Sequence, residues 1–181
     1  SGAEIIDVGG ESTRPGSKIV SQKNELFRVK QVIKEFKKKY PKTLLSIDTR
    51  KSLIMNFSIK HNVDIVNDVS CFKFDQKSFD TIKNKNLWKI IHHMQGTPQT
   101  MQNNPKYNNV LLDIYDFFEE EIEKFKKFKH NDKIILDPGI GFGKNLKHNL
   151  MILNKISLFH SLGFPILIGT SRKKFINQIS G

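Results

Sequence analysis

Six short apolar runs constrain this sequence most, because each is followed by a polar cluster of Gly, Asp, Asn or Ser and then by an amphipathic stretch. The runs occupy residues 5–8, 44–47, 64–66, 88–91, 133–136 and 165–168. They are nearly continuous rather than alternating, which is typical of strands buried on both faces. Strands that alternate with helices favour a parallel sheet with right-handed crossovers.

The stretches between the runs repeat apolar residues at helical spacing. Residues 26–36 do so every three or four positions and predict a first helix, which ends before Pro41. The same spacing predicts further helices around residues 53–57, 79–82, 110–125 and 150–159.

Polar residues that could take part in binding or catalysis follow nearly every predicted strand. Their distribution helps to decide between two architectures, a barrel and an open sheet. They are Asp7, Asp48, Asn67, His92 or His93, Asp137 and residues 170–173. A doubly wound open sheet concentrates its site at one switch point, whereas a barrel brings residues from many strands to one rim. The pattern therefore favours an α/β fold of the TIM (β/α)8 type. Six strands are fewer than eight, so we expect a single domain over residues 1–181 that forms a partial barrel, truncated at both ends.

Composition excludes several other classes of protein. The net charge is +12, but the lysines fall on predicted helix faces mixed with Glu, so we expect solvated surface and no nucleic-acid partner. No apolar run approaches the ~20 residues of a membrane span, so no membrane partner is expected. The single cysteine, Cys71, precludes an internal disulfide framework and is predicted to be structural.

Three of the polar clusters have a functional and a plain structural interpretation. Thr13 and Arg14 offer a hydroxyl and a fork of N–H donors suited to phosphate oxygens, or belong to an ordinary loop. Asp48 lies where a strand ends, and taken alone it is better explained as a helix-capping residue. Asn67 can donate to and accept from a heterocycle edge, or can form an Asx turn.

The remaining clusters leave similar alternatives. His92 and His93 point to opposite sides of a strand, which makes them a poor metal pair. Asp137 could accept two parallel hydrogen bonds from an amidine-like edge, or could cap the amides of the glycine-rich loop after it. The cations in residues 169–174 stand at a predicted helix start, where they oppose the helix dipole, and this conflict favours a functional role.

Six strings of the sequence together resemble the dihydropteroate synthase family. They are IDVGGESTRPG, SIDTRKS, IVNDVS, HHMQGTPQTMQ, DPGIGFGKNLKHN and GTSRKKFI, and they occur in the order typical of that family over the entire chain. The resemblance implies a pterin-binding barrel that here lacks the first and last strands. It also implies a transferase of folate biosynthesis, which condenses (7,8-dihydropterin-6-yl)methyl diphosphate with 4-aminobenzoate and releases diphosphate.

The resemblance further implies roles for individual residues. The pterin pocket would be lined by Asp48, Asn67, Asp137 and Lys173. The diphosphate would be held by Thr13 and Arg14, and the 4-aminobenzoate position would be bordered by Pro15, Phe142 and Ser171. Arg14 and Lys173 would be the catalytic residues, since stabilising the departing diphosphate is the main chemical task.

The family also implies Mg²⁺, whose expected ligand lies before residue 1, so no metal ligand is expected in this chain. A cytoplasmic protein, which is a homodimer at full length, is expected on the same basis. Two alternatives remain: a related pterin-binding methyltransferase domain that passes a methyl group from a folate to a corrinoid, and a non-catalytic binding homologue. The diphosphate-type loop at Thr13 and Arg14 favours the synthase over the methyltransferase, because a methyl donor carries no diphosphate.

Overall fold

The computed structural model describes residues 2–171, in which five parallel strands form one sheet. The strands are β1 (Ile5–Gly9), β2 (Leu44–Asp48), β3 (Ile65–Asp68), β4 (Trp88–His92) and β5 (Ile134–Asp137). Each strand pairs with the next one along the chain, so the spatial order equals the sequence order. This winding is that of a barrel, since a doubly wound sheet reverses its strand order. The α/β partial-barrel prediction is therefore confirmed.

Helices alternate with the strands as the apolar spacing predicted. They are α1 (Gln22–Lys39), α2 (Ser52–Lys60), α3 (Ser78–Ile82), α4 (Val110–Phe125) and α5 (Leu146–Asn154), and a 3-10 segment at Ile156–Leu162 comes after them. Side-chain caps stabilise the starts of several helices. Ser21, just before α1, accepts from the Asn24 amide, and Asn109, just before α4, accepts from two amides in the first turn of that helix. The last predicted helix differs from the prediction, because it ends as an α-helix at Asn154 and continues as the tighter 3-10 form.

The sixth predicted strand, at residues 165–168, is present only as a single parallel bridge between Leu136 and Ile166. The Leu136 amide donates to Pro165 O at 2.9 Å, and the Leu167 amide donates to Leu136 O at 2.8 Å. The segment thus lies beside β5 on the side away from β4, as the next position of a barrel requires, but it forms no regular ladder within residues 2–171.

The two faces of the sheet differ in chemistry. Leu45 and Ile47 of β2, Val66 of β3, Ile91 of β4 and Leu136 of β5 face the helices and form the main hydrophobic core with them. The alternate positions of β1 to β3 carry polar side chains instead, namely Asp7, Ser46, Asp48 and Asn67. Because side chains alternate along a strand, one face builds the core and the other is left for a site.

The lysine run at residues 34–39 lies on α1, as expected, whereas the run at residues 124–129 is exposed but lies mostly in the turns after α4, which ends at Phe125. Three lysines outside those runs are buried: Lys51, Lys89 and Lys144 are each at most 4% exposed. They lie on strands or strand-end loops, where periodicity on a helix gives no information about them. No helix within residues 2–171 is long and apolar enough to cross a membrane.

Candidate functional site

The carboxyl ends of β1, β2 and β3 bring three polar side chains together. Asp48 is paired with Asn67 across β2 and β3, and with Gly9 across β1 and β2. Asn67 Nδ2 donates to Asp7 Oδ2 at 3.4 Å, which joins the middle of β1 to β3 across β2. Parallel strands end at the same edge of the sheet, so residues from three distant stretches of sequence form one polar surface.

Three buried oxygen atoms on this surface have no hydrogen-bond partner among the described residues: Ser46 Oγ, Asp48 Oδ1 and Asn67 Oδ1. Buried polar atoms in native proteins are nearly always hydrogen-bonded, and an unpaired acceptor costs about 1–3 kcal/mol. Three such atoms side by side are typical of a site that meets hydrogen-bond donors of a ligand.

Neither of the plain structural roles considered for these residues is found. The N-cap of α2 is Lys51, whose side chain makes no capping hydrogen bond, and the Ser52 amide at that helix start donates to Asp75 Oδ2 at 2.9 Å. The turn after β3 is formed by Asp68 rather than by its neighbour Asn67, since Asp68 accepts from the amides of Ser70 at 2.7 Å and Phe72 at 3.2 Å. Asp48 and Asn67 are therefore left to face the polar surface.

The environment of Asp48 disfavours its charged form. Burial raises the pKa of this carboxyl well above its ordinary value, and the negative charges of Asp7, Asp68 and Glu25 raise it further, against a smaller opposing effect of Arg50. A carboxyl in such a position is stabilised by a ligand that offers N–H donors.

Asp137, at the end of β5, serves a structural role with one of its oxygens. Its Oδ1 accepts from the Gly139 amide at 2.8 Å, so the loop-capping alternative holds for that atom. Its Oδ2 lies 3.9 Å from Nε2 of His92, the residue opposite on β4. His92 is oriented in turn by Val69 O, 3.2 Å from its Nδ1. Asp137 thus ends the same row of strands as Asp48 and Asn67, with its carboxylate held at the rim.

The glycine-rich loop after β5 places Phe142 beside this row. The Phe142 ring packs edge-on against the His92 ring, with centroids 4.6 Å apart. Lys144, from the same loop, is buried and donates to His93 Nδ1 at 2.9 Å. The adjacent histidines therefore have separate partners, as expected for neighbours on a strand.

The loop between β1 and α1 carries three further candidates, Thr13, Arg14 and Pro15. Arg14 and Pro15 are exposed and Thr13 is half-buried. Residues 14–17 form a turn in which the Ser17 amide donates to Arg14 O at 3.1 Å. Ser171 is exposed and is the last described residue, and Lys173 lies outside the described residues. The loop leaves β1 at the same rim as Asp48, although it folds back against α1.

A buried ionic cluster was not foreseen from the sequence. It joins Glu11, Glu25, Arg50 and Lys51, each at most 7% exposed. One feature of the sequence could have indicated this cluster: Glu11, Arg50 and Lys51 lie in loops directly after strands, where polar residues from different strands meet. Cys71, by contrast, is buried with its thiol pKa raised well above the ordinary value by burial, in agreement with a structural cysteine.

The described residues do not fit a metal site. Within residues 2–171 no group of three or more His, Cys, Asp and Glu side chains could hold a metal ion. Mg²⁺ prefers several oxygen ligands in near-octahedral geometry, which Asp7 and Asp48 on adjacent strands do not supply by themselves.

Comparisons with known proteins agree with this geometry. The whole chain, residues 1–181, matches the family described as pterin binding enzyme. It is 39% identical over 179 residues to a dihydropteroate synthase of Escherichia coli strain K12, an alignment that covers 98% of this chain and 63% of the relative. The chain thus spans less than two thirds of that relative's length.

Two solved structures resemble the fold closely. A Yersinia pestis dihydropteroate synthase in complex with a sulfonamide drug superposes with a TM-score of 0.91 at 36% identity, over 98% of this chain and 64% of that one. A dihydropteroate synthase from Anaplasma phagocytophilum with bound 6-hydroxymethylpterin-monophosphate gives 0.91 at 30% identity, over 99% of this chain and 72% of that one.

Proposed function

Since the chain belongs to the pterin-binding enzyme family, we propose that the whole protein is a dihydropteroate synthase. It would join a dihydropterin diphosphate to 4-aminobenzoate, give dihydropteroate and release diphosphate in folate biosynthesis. The names of its relatives support this proposal, as do the sulfonamide and pterin phosphate bound in the similar structures.

The observation that supports the proposal most is the unpartnered acceptor row at the ends of β2 and β3. A dihydropterin presents an amino group and ring N–H groups along its edges, which are donors. Asp48 Oδ1 and Asn67 Oδ1 are buried acceptors that lack a donor among the described residues. Binding the pterin would satisfy both atoms, and an analogue without the amino group would leave them unpaired.

The remaining residues are assigned on the same basis. Asp137 would accept from the amino group and an adjacent ring N–H with the oxygen that does not cap the Gly139 amide. Lys173 would donate to the carbonyl oxygen and a neighbouring ring nitrogen of the pterin. Thr13 and Arg14 would hold the diphosphate as it leaves.

The second substrate would lie beside the pterin. Phe142 packs edge-on against His92 next to Asp137, and an aromatic side chain at this rim suits the flat aromatic ring of the second substrate. Pro15 and Ser171 would border the same position from the loops after β1 and after the segment at residues 165–168.

The reaction needs no strong base. An aniline-type amine is neutral at pH 7 and attacks the methylene carbon directly, while the C–O bond to diphosphate breaks and the amine proton passes to solvent. Arg14 and Lys173 would stabilise the negative charge on the departing diphosphate. Mg²⁺ is proposed for the whole protein, where it would supply further charge stabilisation. A cytoplasmic homodimer is proposed by resemblance to the family.

The test is turnover by the whole protein with dihydropterin diphosphate, 4-aminobenzoate and Mg²⁺. Asp137→Asn can retain the loop hydrogen bond through its amide oxygen, but it places an NH2 donor where the other carboxylate oxygen accepted, so we expect kcat/KM to fall about 100-fold. Asp116→Asn, an exposed position on α4, is the matched control and should leave turnover unchanged.

Two outcomes would contradict the proposal. A folded whole protein that neither turns over these substrates nor binds pyrophosphate with Mg²⁺ would favour the methyltransferase alternative. Equal activity of the Asp137→Asn and Asp116→Asn variants would remove Asp137 from the site.

A further inference from the structure

The loop between β1 and α1 is closed at its base by a single carboxylate. Glu11 Oε2 accepts from the amide of Val20 at 2.7 Å, nine positions along the chain, so both ends of the loop are tied together. The segment between them carries Thr13, Arg14 and Pro15. The exposed tip of this loop therefore projects from a closed base.

The same carboxylate fastens the loop to the end of β2. Glu11 Oε1 accepts from Arg50 Nε at 3.1 Å and from Arg50 Nη2 at 2.5 Å, while Lys51 Nζ donates to Oε2 at 2.8 Å. Arg50 and Lys51 lie two and three positions after Asp48. Glu11 thus joins the loop with the diphosphate candidates to the strand end with the pterin candidate.

The attachment is buried and balanced in charge. Lys51 also pairs with Glu25 of α1, which is fully buried and accepts from Thr49 Oγ1 as well. Two carboxylates therefore face two cations. Burial alone would raise the pKa of Glu11, but its hydrogen bonds from Lys51, Arg50 and the Val20 amide outweigh burial and lower that pKa.

Backbone packing restrains the loop at the same point. Arg28 of α1 donates to Gly10 O at 2.8 Å. A Cβ at Gly10 would lie 2.9 Å from Glu25 Cγ, so only glycine allows the chain to approach α1 this closely. Glu11 is held between this contact and the end of β2, which leaves it little freedom to shift.

We propose that Glu11 is a positioning residue, which fixes the Thr13–Arg14 loop at a set distance from Asp48 so that one substrate can be held at its pterin ring and its diphosphate together. The inference rests on the proposed function. It assigns to Glu11 no contact with substrate. A cluster that merely stabilised the fold would affect all ligands alike, whereas a positioning residue affects those ligands that reach the loop.

The experiment compares two ligands in the whole protein by calorimetry: a dihydropterin diphosphate, and the same pterin with a free hydroxymethyl group. In the Glu11→Gln variant we expect the diphosphate ligand to bind about tenfold more weakly, because the loop must be ordered on binding, and the hydroxymethyl pterin to bind unchanged. Glu35→Gln on the exposed face of α1 is the matched control and should alter neither affinity.

A second variant separates positioning from stability. Glu11→Gln leaves Arg50 without its carboxylate while Lys51 keeps Glu25, so adding Arg50→Met removes the unpaired buried cation and restores the charge balance. The double variant should regain thermal stability but not affinity for the diphosphate ligand. Recovery of that affinity together with stability, equal loss for both ligands, or failure of both variants to fold would each overturn the inference. If the unchanged protein binds neither pterin, the proposed function itself fails. If it binds both, and the Glu11→Gln variant binds both with the same affinities, only the role of Glu11 fails.

Discussion

At the scale of single residues, the acceptors on the polar face are maintained at a cost to stability. Asp48 has one buried oxygen without a donor in the described part of the chain, and its charged form is disfavoured by burial and by neighbouring carboxylates. The fold alone gives no reason for such a residue, because an apolar or neutral side chain would be more stable in its place, and the proposed pterin site supplies one.

Replacing Asp48 tests this trade-off. Its pKa in the folded state is raised above the unfolded value, so its contribution to stability is present below about pH 4 and is lost as pH rises through the folded pKa. Asp48→Asn has no such dependence, so the ligand-free variant should melt a few degrees above the unchanged protein at about pH 8 and show a smaller difference at about pH 5.

Differential scanning fluorimetry across this pH range measures the effect, and pterin affinity should fall in the same variant. Asp80→Asn, on the exposed surface of α3, is the control and should track the unchanged protein at every pH. A variant that is less stable than the unchanged protein at high pH would show that Asp48 is needed by the fold.

At the scale of elements, the loop after one strand packs against the end of the neighbouring strand. The loop after β5 lies against the end of β4 so closely that a Cβ at Gly139 would fall 1.9 Å from His93 O, at a φ of 68°. This contact fixes the path of the loop that carries Phe142 and Lys144.

Gly139→Ala should therefore destabilise the protein by roughly 3 kcal/mol or more, from backbone strain and from the clash together. Gly163→Ala is the matched control, since Gly163 has a φ of 81° but nothing within 4 Å of the added Cβ. It should cost only about 1–2 kcal/mol from its conformation. Urea denaturation of both variants measures the difference, and equal losses would show that the close approach to His93 is unimportant.

Lys89 joins β4 to two neighbouring connections. Its buried amine donates to Lys85 O before the strand and to His130 O after α4. Burial lowers the pKa of Lys89 to about 8, with a smaller opposing effect from Asp132. The lysine is thus a bridge between segments that are distant in sequence.

Because the pKa of Lys89 is lower in the folded state, this residue contributes most to stability above its unfolded pKa of 10.5. That contribution is lost as pH falls from 10.5 towards about 8. The stability of the unchanged protein relative to a Lys89→Met variant should therefore increase as pH rises through that window. Chemical denaturation at several pH values measures it. Lys60→Met, at the exposed end of α2, should show no such trend, and a flat difference for Lys89→Met would contradict the predicted titration.

At the scale of the whole molecule, the described chain is a run of strand–helix units wound in sequence order. The basic charge is spread over the surface of α1 at residues 34–39 and over the end of α4 and the turns after it at residues 124–129, apart from the buried lysines that have partners in the fold. The sheet gathers its strand-end loops at one rim because every strand is parallel, so each loop can contribute a residue to the proposed site while the core stays on the helix side.

The sequence by itself determined the order of strands and helices and the rim residues Asp48, Asn67 and Asp137. Buried parallel strands are continuous apolar runs, and the polar residues directly after each run must lie at one edge of the sheet. It could not determine that the last run forms a single bridge, which depends on the segments that lie beside β5.

Only the tertiary structure decided which side chains meet. Glu11 and Arg50 are 39 positions apart, Lys89 and His130 are 41 apart, and no local pattern records either contact. The same holds for Asp48 and Asn67. A polar residue directly after a strand can cap a helix or face a ligand, and only the lack of a hydrogen-bond donor within residues 2–171 distinguishes the two cases. Periodicity reports which face a residue occupies, whereas hydrogen-bond partners depend on how distant segments pack.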